Sequence, residues 1–191
     1  MSNPSKTKLK DKLIALFAIS LIGLTTYFWF SPSGVKVVPN VELTTITGEK
    51  IQLASLRGNP VLVTFWATSC SGCIKEMPHL IEIHNTYSTR GLKVIGISMP
   101  YDRPDQVMKM AKQKALPYTI AMDINKKATH VFGDVKLTPS TFLIAPNGTI
   151  VRQKIGEFNM QLMVSHIEKL LVTPNSNNTR NLKPTNGVKD L

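Results

Sequence analysis

Apolar positions along the chain change period several times, and each change marks an element. Residues 13–30, LIALFAISLIGLTTYFWF, form an uncharged apolar run of 18 residues. As a helix it would rise about 27 Å, the short end of what crosses a bilayer core. Residues 31–39 read as a Ser/Pro/Gly linker. Two short strands, 41–46 and 50–53, are expected around a Thr47-Gly48-Glu49 turn, with a further turn over 54–58. The apolar stretch 60–67 contains a buried strand, 61–66, opened by Asn59-Pro60. Helical periodicity follows from about Gly72 to Tyr87 with Pro78 inside it. A proline there removes a backbone hydrogen bond, so a kink is expected.

Beyond Gly91 the pattern predicts a strand over 92–98, a helix over 105–114, a short strand over 118–122 and a short helix over 125–132. Residues 141–145 and 149–155 flank Pro146-Asn147-Gly148, a hairpin signal. An amphipathic helix over 159–171 closes the pattern, its apolar positions recurring at three and four. Alternating strands and helices, then a hairpin and a terminal helix, imply an α/β fold with a mixed central sheet flanked by helices. After Thr173 the chain is Asn, Thr, Pro and Lys with few large apolar residues, which predicts a disordered tail over 173–191. The expected organisation is a basic N-terminus (1–12), a transmembrane anchor (13–30), a linker (31–39), one domain (40–172) and the tail. No internal repeats are visible.

Charge sharpens the topology. Of 191 residues, 42% are hydrophobic and 18% charged, with a formal charge of +11. Lys6, Lys8, Lys10 and Lys12 precede the apolar run, and only Lys36 follows it closely. The positive-inside rule therefore places the N-terminus in the cytoplasm and the domain outside, with Tyr27, Phe28 and Trp29 at the outer interface. A cleaved signal peptide is the competing reading, with Ser31 and Ser33 as the small residues before the cut. Against it, the apolar core exceeds the usual length, ends in bulky aromatics and meets Pro32 beside the cleavage site. Both readings export the domain. The basic excess shows no stripe interleaved with aromatics, so it is read as topology and solubility, and nucleic acid is not an expected partner.

The chain has two cysteines, Cys70 and Cys73, in one C-x-x-C between the buried strand and the first helix of the domain. A strand that turns into a helix through C-x-x-C puts the first sulfur at the helix N-terminus, where unpaired N–H groups and the helix dipole favour a thiolate. Cys70 is then the exposed attacking thiolate and Cys73 the buried resolving thiol. A purely structural disulfide is the plain alternative in an exported protein. Two intervening residues close a trivial loop, however, which constrains the unfolded chain little. Metal binding is a weaker reading, since only His79 and His84 lie near in sequence, on a helix expected to be broken by Pro78. Haem attachment is eliminated because Ile74, not His, follows the second cysteine. Neither a cofactor nor a metal is expected.

These residues carry a wider pattern: Phe65-Trp66-Ala67-Thr68 before the cysteines, Glu76 three residues after Cys73, Pro78 in the helix, and 136–142 (KLTPSTF) ahead of the hairpin. From about Val41 to Leu171 the chain resembles the membrane-anchored, thioredoxin-like thiol–disulfide oxidoreductases of the TlpA/ResA type, within the AhpC/TSA-related thioredoxin superfamily. The resemblance implies a thioredoxin fold with an extra N-terminal β-hairpin and with Pro139 as a cis-proline opposite the disulfide. It departs from the family at Ser69, where a second Trp is common, and at Gly72, where Pro is frequent. Thr64 stands where cytosolic thioredoxins carry a buried Asp.

With Thr64 unable to accept a proton at neutral pH, Glu76 is the candidate base for Cys73, and family members carry a Glu at this spot. The plain alternative is a solvated carboxylate on the first helix. Thr138 and Pro139 are expected to pair with a substrate chain in strand fashion beside the disulfide. Trp66 is expected to be mainly core with one edge near the site. The function implied is thiol–disulfide exchange on disulfides of exported proteins, in the reducing direction, with apocytochrome c as one substrate of the family. Recharging would come from a membrane electron-donor protein, and the chain is expected to act as a monomer. A thioredoxin-fold module that holds copper without turnover is the rival reading.

Overall fold

A computed structural model describes Ile14, residues 16–25 and residues 37–172. The chain divides into two units, Met1–Val35 and Lys36–Leu191. In the first, Ile14 and residues 16–25 are helical with exposed side chains, and Thr25 Oγ1 donates back to the Leu21 and Ile22 carbonyls at 3.0 and 2.9 Å. The remainder of the expected 13–30 anchor, the basic N-terminus and the 173–191 tail lie outside the described residues. Among the described residues no helix is long and apolar enough to cross a membrane.

The second unit carries seven strands in one mixed sheet: β1 Glu42–Thr45, β2 Lys50–Gln52, β3 Val61–Trp66, β4 Lys93–Ser98, β5 Thr119–Met122, β6 Ser140–Ile144 and β7 Ile150–Ile155, ordered β2-β1-β5-β4-β3-β6-β7. Strands β3, β4 and β5 are mutually parallel, while β1 and β6 run antiparallel to their neighbours. The helices are α1 Ser71–Tyr87, α2 Pro104–Gln113, α3 Lys127–Val131 and α4 Met160–Val172. This is the α/β fold expected, including the N-terminal hairpin of β1 and β2. Two residues assigned to the linker by sequence belong to the domain. Val38 is buried and its N–H reaches the Gly148 carbonyl at 2.9 Å, while Val37 bridges Thr149.

Strand β3 is buried along its whole length, as its apolar run requires of a central strand covered on both faces. Its alternation divides two cores. Leu62 and Trp66 pack with Met77, Leu80 and Ile83 of α1 and with Met163 and Ile167 of α4. Val61, Val63 and Phe65 face the other way, where Phe65, Phe132 and Phe142 meet edge to face with centroids 4.9–5.9 Å apart. The edge strand β7 carries Arg152 and Lys154, charges that discourage edge-to-edge pairing.

Helix α1 is not broken at Pro78. It continues to Tyr87, with the proline on its exposed side, where the carbonyl left without a partner can reach water. His79 is exposed and His84 half-buried on that same unbroken helix. Burial and the Lys93 charge hold His84 below the usual imidazole range.

Candidate active site

The parallel strands β3, β4 and β5 end at one edge of the sheet, and β6 begins there. That geometry brings the cysteine loop, the 99–103 loop and the Thr138–Pro139 segment together. Cys70 is the N-cap of α1, with extended backbone, and its Sγ accepts the Cys73 N–H at 3.1 Å. A sulfur in that position receives the unpaired N–H groups and positive dipole end of a helix of 17 residues, which lowers the cost of holding negative charge. The two sulfurs are joined, S–S 2.10 Å with Cα atoms 5.3 Å apart. Cys70 is half-buried and Cys73 is only 2% exposed, so an incoming sulfur has access to Cys70 alone.

The Thr138–Pro139 peptide is cis. Pro139 lies against the C-x-x-C turn: a Cβ built on Gly72 would stand 3.5 Å from Pro139 Cδ and 3.3 Å from Glu157 Oε1. The glycine therefore lets both groups approach the turn, and any side chain there would press on them. The Pro139 carbonyl is taken by Gly156 N–H at 2.8 Å, whereas among the described residues the Thr138 backbone makes no hydrogen bond. Thr138 is half-buried.

Glu76 is no surface carboxylate. It is 2% exposed, under the sheet-facing side of α1, and its Oε1 accepts the Phe158 N–H at 3.0 Å. Its Oε2 is buried with no hydrogen-bond partner. Burial pushes the carboxyl up to about 7; the Phe158 N–H opposes this, the Glu157 charge adds to it, and the nearby Thr141 hydroxyl pulls slightly down. Thr141 Oγ1 itself donates to Thr64 Oγ1 at 3.1 Å, so the strand position that could have held a carboxylate is closed by a threonine pair. Tyr118, buried on the same face of the sheet, is pushed above the ordinary phenol range by burial and by the Glu76 charge. A carboxyl poised near neutrality can take a proton from a thiol and return it.

Trp66 is core. At 3% exposed it packs in one cluster with Cys73 and Met77, its Nε1 unpartnered and 3.2 Å from a Cβ built on Gly96. It offers almost no surface to a substrate. Two further residues escaped the sequence reading. Asp102 accepts the Thr68 N–H at 2.7 Å and the Thr68 hydroxyl at 3.0 Å, fastening the cysteine loop to the loop after β4. Glu157 stands beside Gly72, 85 residues away in sequence. Neither belongs to a motif with fixed spacing from the cysteines, so only the crossovers of the sheet place them. Among the described residues no group of three or more His, Cys, Asp or Glu could hold a metal ion.

A half-buried, accessible cysteine at a helix N-terminus, a buried partner cysteine and a cis-proline against their turn define a thioredoxin-fold thiol–disulfide oxidoreductase. The comparisons with known proteins agree. Residues 35–153 match the model of the AhpC/TSA family, and the chain belongs to that family. A thiol-disulfide oxidoreductase ResA from Bacillus thuringiensis is 31% identical over 172 residues, covering 86% of this chain and 98% of that protein. A solution structure from Neisseria meningitidis superposes with a TM-score of 0.69 at 28% identity, covering 75% of this chain and 95% of that one. The crystal structure of a thiol:disulfide interchange protein from Chlorobium tepidum TLS shares the fold, with a TM-score of 0.66 at 22% identity over 73% of this chain and 98% of that one.

Proposed function

We propose that this oxidoreductase works in the reducing direction on disulfides of exported proteins, apocytochrome c among them, at the outer face of a cytoplasmic membrane. The observation that carries the exchange chemistry is Glu76, buried with an unpartnered Oε2 and a pKa near 7. The Cys70 thiolate attacks one sulfur of the substrate disulfide. An S–S bond forms between enzyme and substrate, and the first substrate sulfur leaves as a thiolate that takes a proton from water. Cys73 must then ionise although buried, and Glu76 is the group on its own helix that takes that proton. The Cys73 thiolate attacks Cys70 Sγ, re-forming the Cys70–Cys73 disulfide and expelling the second substrate sulfur as a thiolate, which takes the proton held by Glu76. Two electrons and two protons pass to the substrate, so a dithiol donor must reset the enzyme, and a membrane protein is the fitting source in an oxidising compartment.

The anchor rests on the 18-residue apolar run and the lysines ahead of it. Retention in membranes through carbonate washing, with Cys70 labelled only from outside, is the expected result; a soluble form beginning near Gly34 overturns it. Direction is tested by equilibrating Cys70–Cys73 against glutathione. A potential of about −250 mV or below marks a reductant, and one near about −120 mV an oxidant, which overturns the reading.

A further inference from the structure

At the carboxyl ends of β4 and β5 an open groove of about 910 Å³ runs between the 99–101 loop and residues 125–136. We infer that this groove is a docking surface for an acidic segment of the substrate protein, holding the chain that leads to the disulfide Cys70 attacks. The inference rests on the reductase reading above and adds to it a class of substrate.

Charge is the first support. Lys126, Lys127 and Lys136 are exposed and line the groove, and among the described residues none of the three is paired with a carboxylate. The carboxylate of the lining, Asp134, is already engaged by His130 at 2.8 Å. Three lysines against the one carboxylate of Asp134 leave the lining net positive, which favours an anionic partner.

Continuity with the site is the second. The groove wall at Tyr101 is followed by Asp102, whose carboxylate holds Thr68, two residues before Cys70. The opposite wall ends at Lys136, two residues before Thr138, whose backbone is free to pair with a bound chain. Tyr101 and Leu137 are 63% and 62% exposed, so apolar surface flanks the cations on both sides. The two walls of the groove are thus continuous in chain with the cysteine loop and with the cis-proline segment.

The floor is held in place. Asp123 Oδ1 and Oδ2 accept the Ala128 and Thr129 N–H groups at 2.9 and 2.8 Å, and the Asp123 carbonyl accepts the Lys126 N–H at 3.0 Å. Lys126 is thereby kept at φ +58, a left-handed conformation unusual for lysine. An anionic membrane surface would also suit lysines. The concave shape, with walls continuous in chain with the cysteine loop and the cis-proline segment, favours a polypeptide.

The test uses the reduced full chain and two peptides that share one disulfide core but carry Asp/Glu or Lys flanks. Neutral 2,2′-dithiodipyridine serves as a probe of the dithiol itself. At low salt the acidic peptide should form the mixed disulfide about tenfold faster than the basic one, and the gap should close as salt is raised. The triple variant Lys126→Gln/Lys127→Gln/Lys136→Gln should lose most of that gap. Equal rates for the two peptides overturn the docking surface alone. So does an equal slowing of the variant toward 2,2′-dithiodipyridine, which would place the lysines' effect on the sulfurs. So too does a finding that the three lysines bind phosphatidylglycerol vesicles without discriminating between peptides. Failure to reduce any of the three disulfides overturns the redox reading, and the docking surface with it.

Discussion

Thr64 and Phe65 are neighbours in β3, as Thr141 and Phe142 are in β6, and all four are buried. Strand alternation sends the threonines to the face covered by α1 and the phenylalanines to the opposite face. On the far face Phe65, Phe132 and Phe142 form an apolar cluster with no polar atom to satisfy. On the near face the same two strands carry a threonine pair, and the helix over them buries Glu76, whose Oε2 has no partner. One face is composed for cohesion. The other gives up cohesion to keep a buried carboxyl on the helix that carries Cys73, since a buried polar atom without a partner costs free energy.

The largest effects should come from the sulfurs on the near face. Cys70→Ser should abolish exchange, and Cys73→Ser should trap mixed disulfides with substrate, seen on non-reducing gels. Normal turnover by Cys73→Ala would remove the resolving role and with it the reason for the polar face. Phe142→Ala, on the far face, should cost about 3–5 kcal/mol in denaturant unfolding. Its folded fraction should still alkylate at Cys70 at the parent rate. A loss of Cys70 reactivity larger than the loss of folded protein would show that the faces are not separable.

Glu76→Gln sharpens the comparison through pH. Glu76 titrates near 7 in the folded chain against an ordinary 4.5. Between those values the folded state keeps a proton that the unfolded chain has released, so stability falls as pH rises from 4.5 through about 7 and this contribution is flat beyond either end. Glu76→Gln should erase that slope, and it should slow resolution of the mixed disulfide by about 10²-fold at neutral pH. Superimposable pH profiles of Cys70 alkylation and turnover in parent and variant would leave Cys73's proton to another group. The smallest effect belongs to the paired replacement Thr64→Val with Thr141→Val. Both partners of one hydrogen bond go at once, so stability should move by less than about 0.5 kcal/mol in thermal unfolding. Loss of the Thr141 hydroxyl should nevertheless raise the Glu76 pKa further, read from the same pH profile.

Elements were legible wherever periodicity was strong. The buried run of β3, the hairpin at Pro146-Asn147-Gly148 and the helix after the cysteines appear in the structure within a residue or two of their predicted ends. At Pro78 the helix continues instead of breaking, because the one backbone hydrogen bond lost there is outweighed by the buried face of Met77, Leu80 and Ile83. The dithiol was legible because its chemistry is local: two cysteines one turn apart, at the place where a strand becomes a helix, suffice. Spacing put Glu76 near the face of Cys73 but could not tell a solvated carboxylate from a buried one. That difference came from Phe158 and α4, contributed about eighty residues later.

The sequence by itself therefore determined what is periodic or contiguous: the strands, the helices, the reactive pair and the charge asymmetry around the N-terminal apolar run. Only the tertiary structure decided what depends on distant segments meeting. It buried Glu76 and shifted its proton affinity, closed Trp66 into the core, and fastened the cysteine loop to Asp102. It also set Pro139 and Glu157 against Gly72. The physical reason is that desolvation and hydrogen bonding are properties of an environment. Four strand ends gathered at one edge of the sheet make that environment, and no local stretch of the chain contains it.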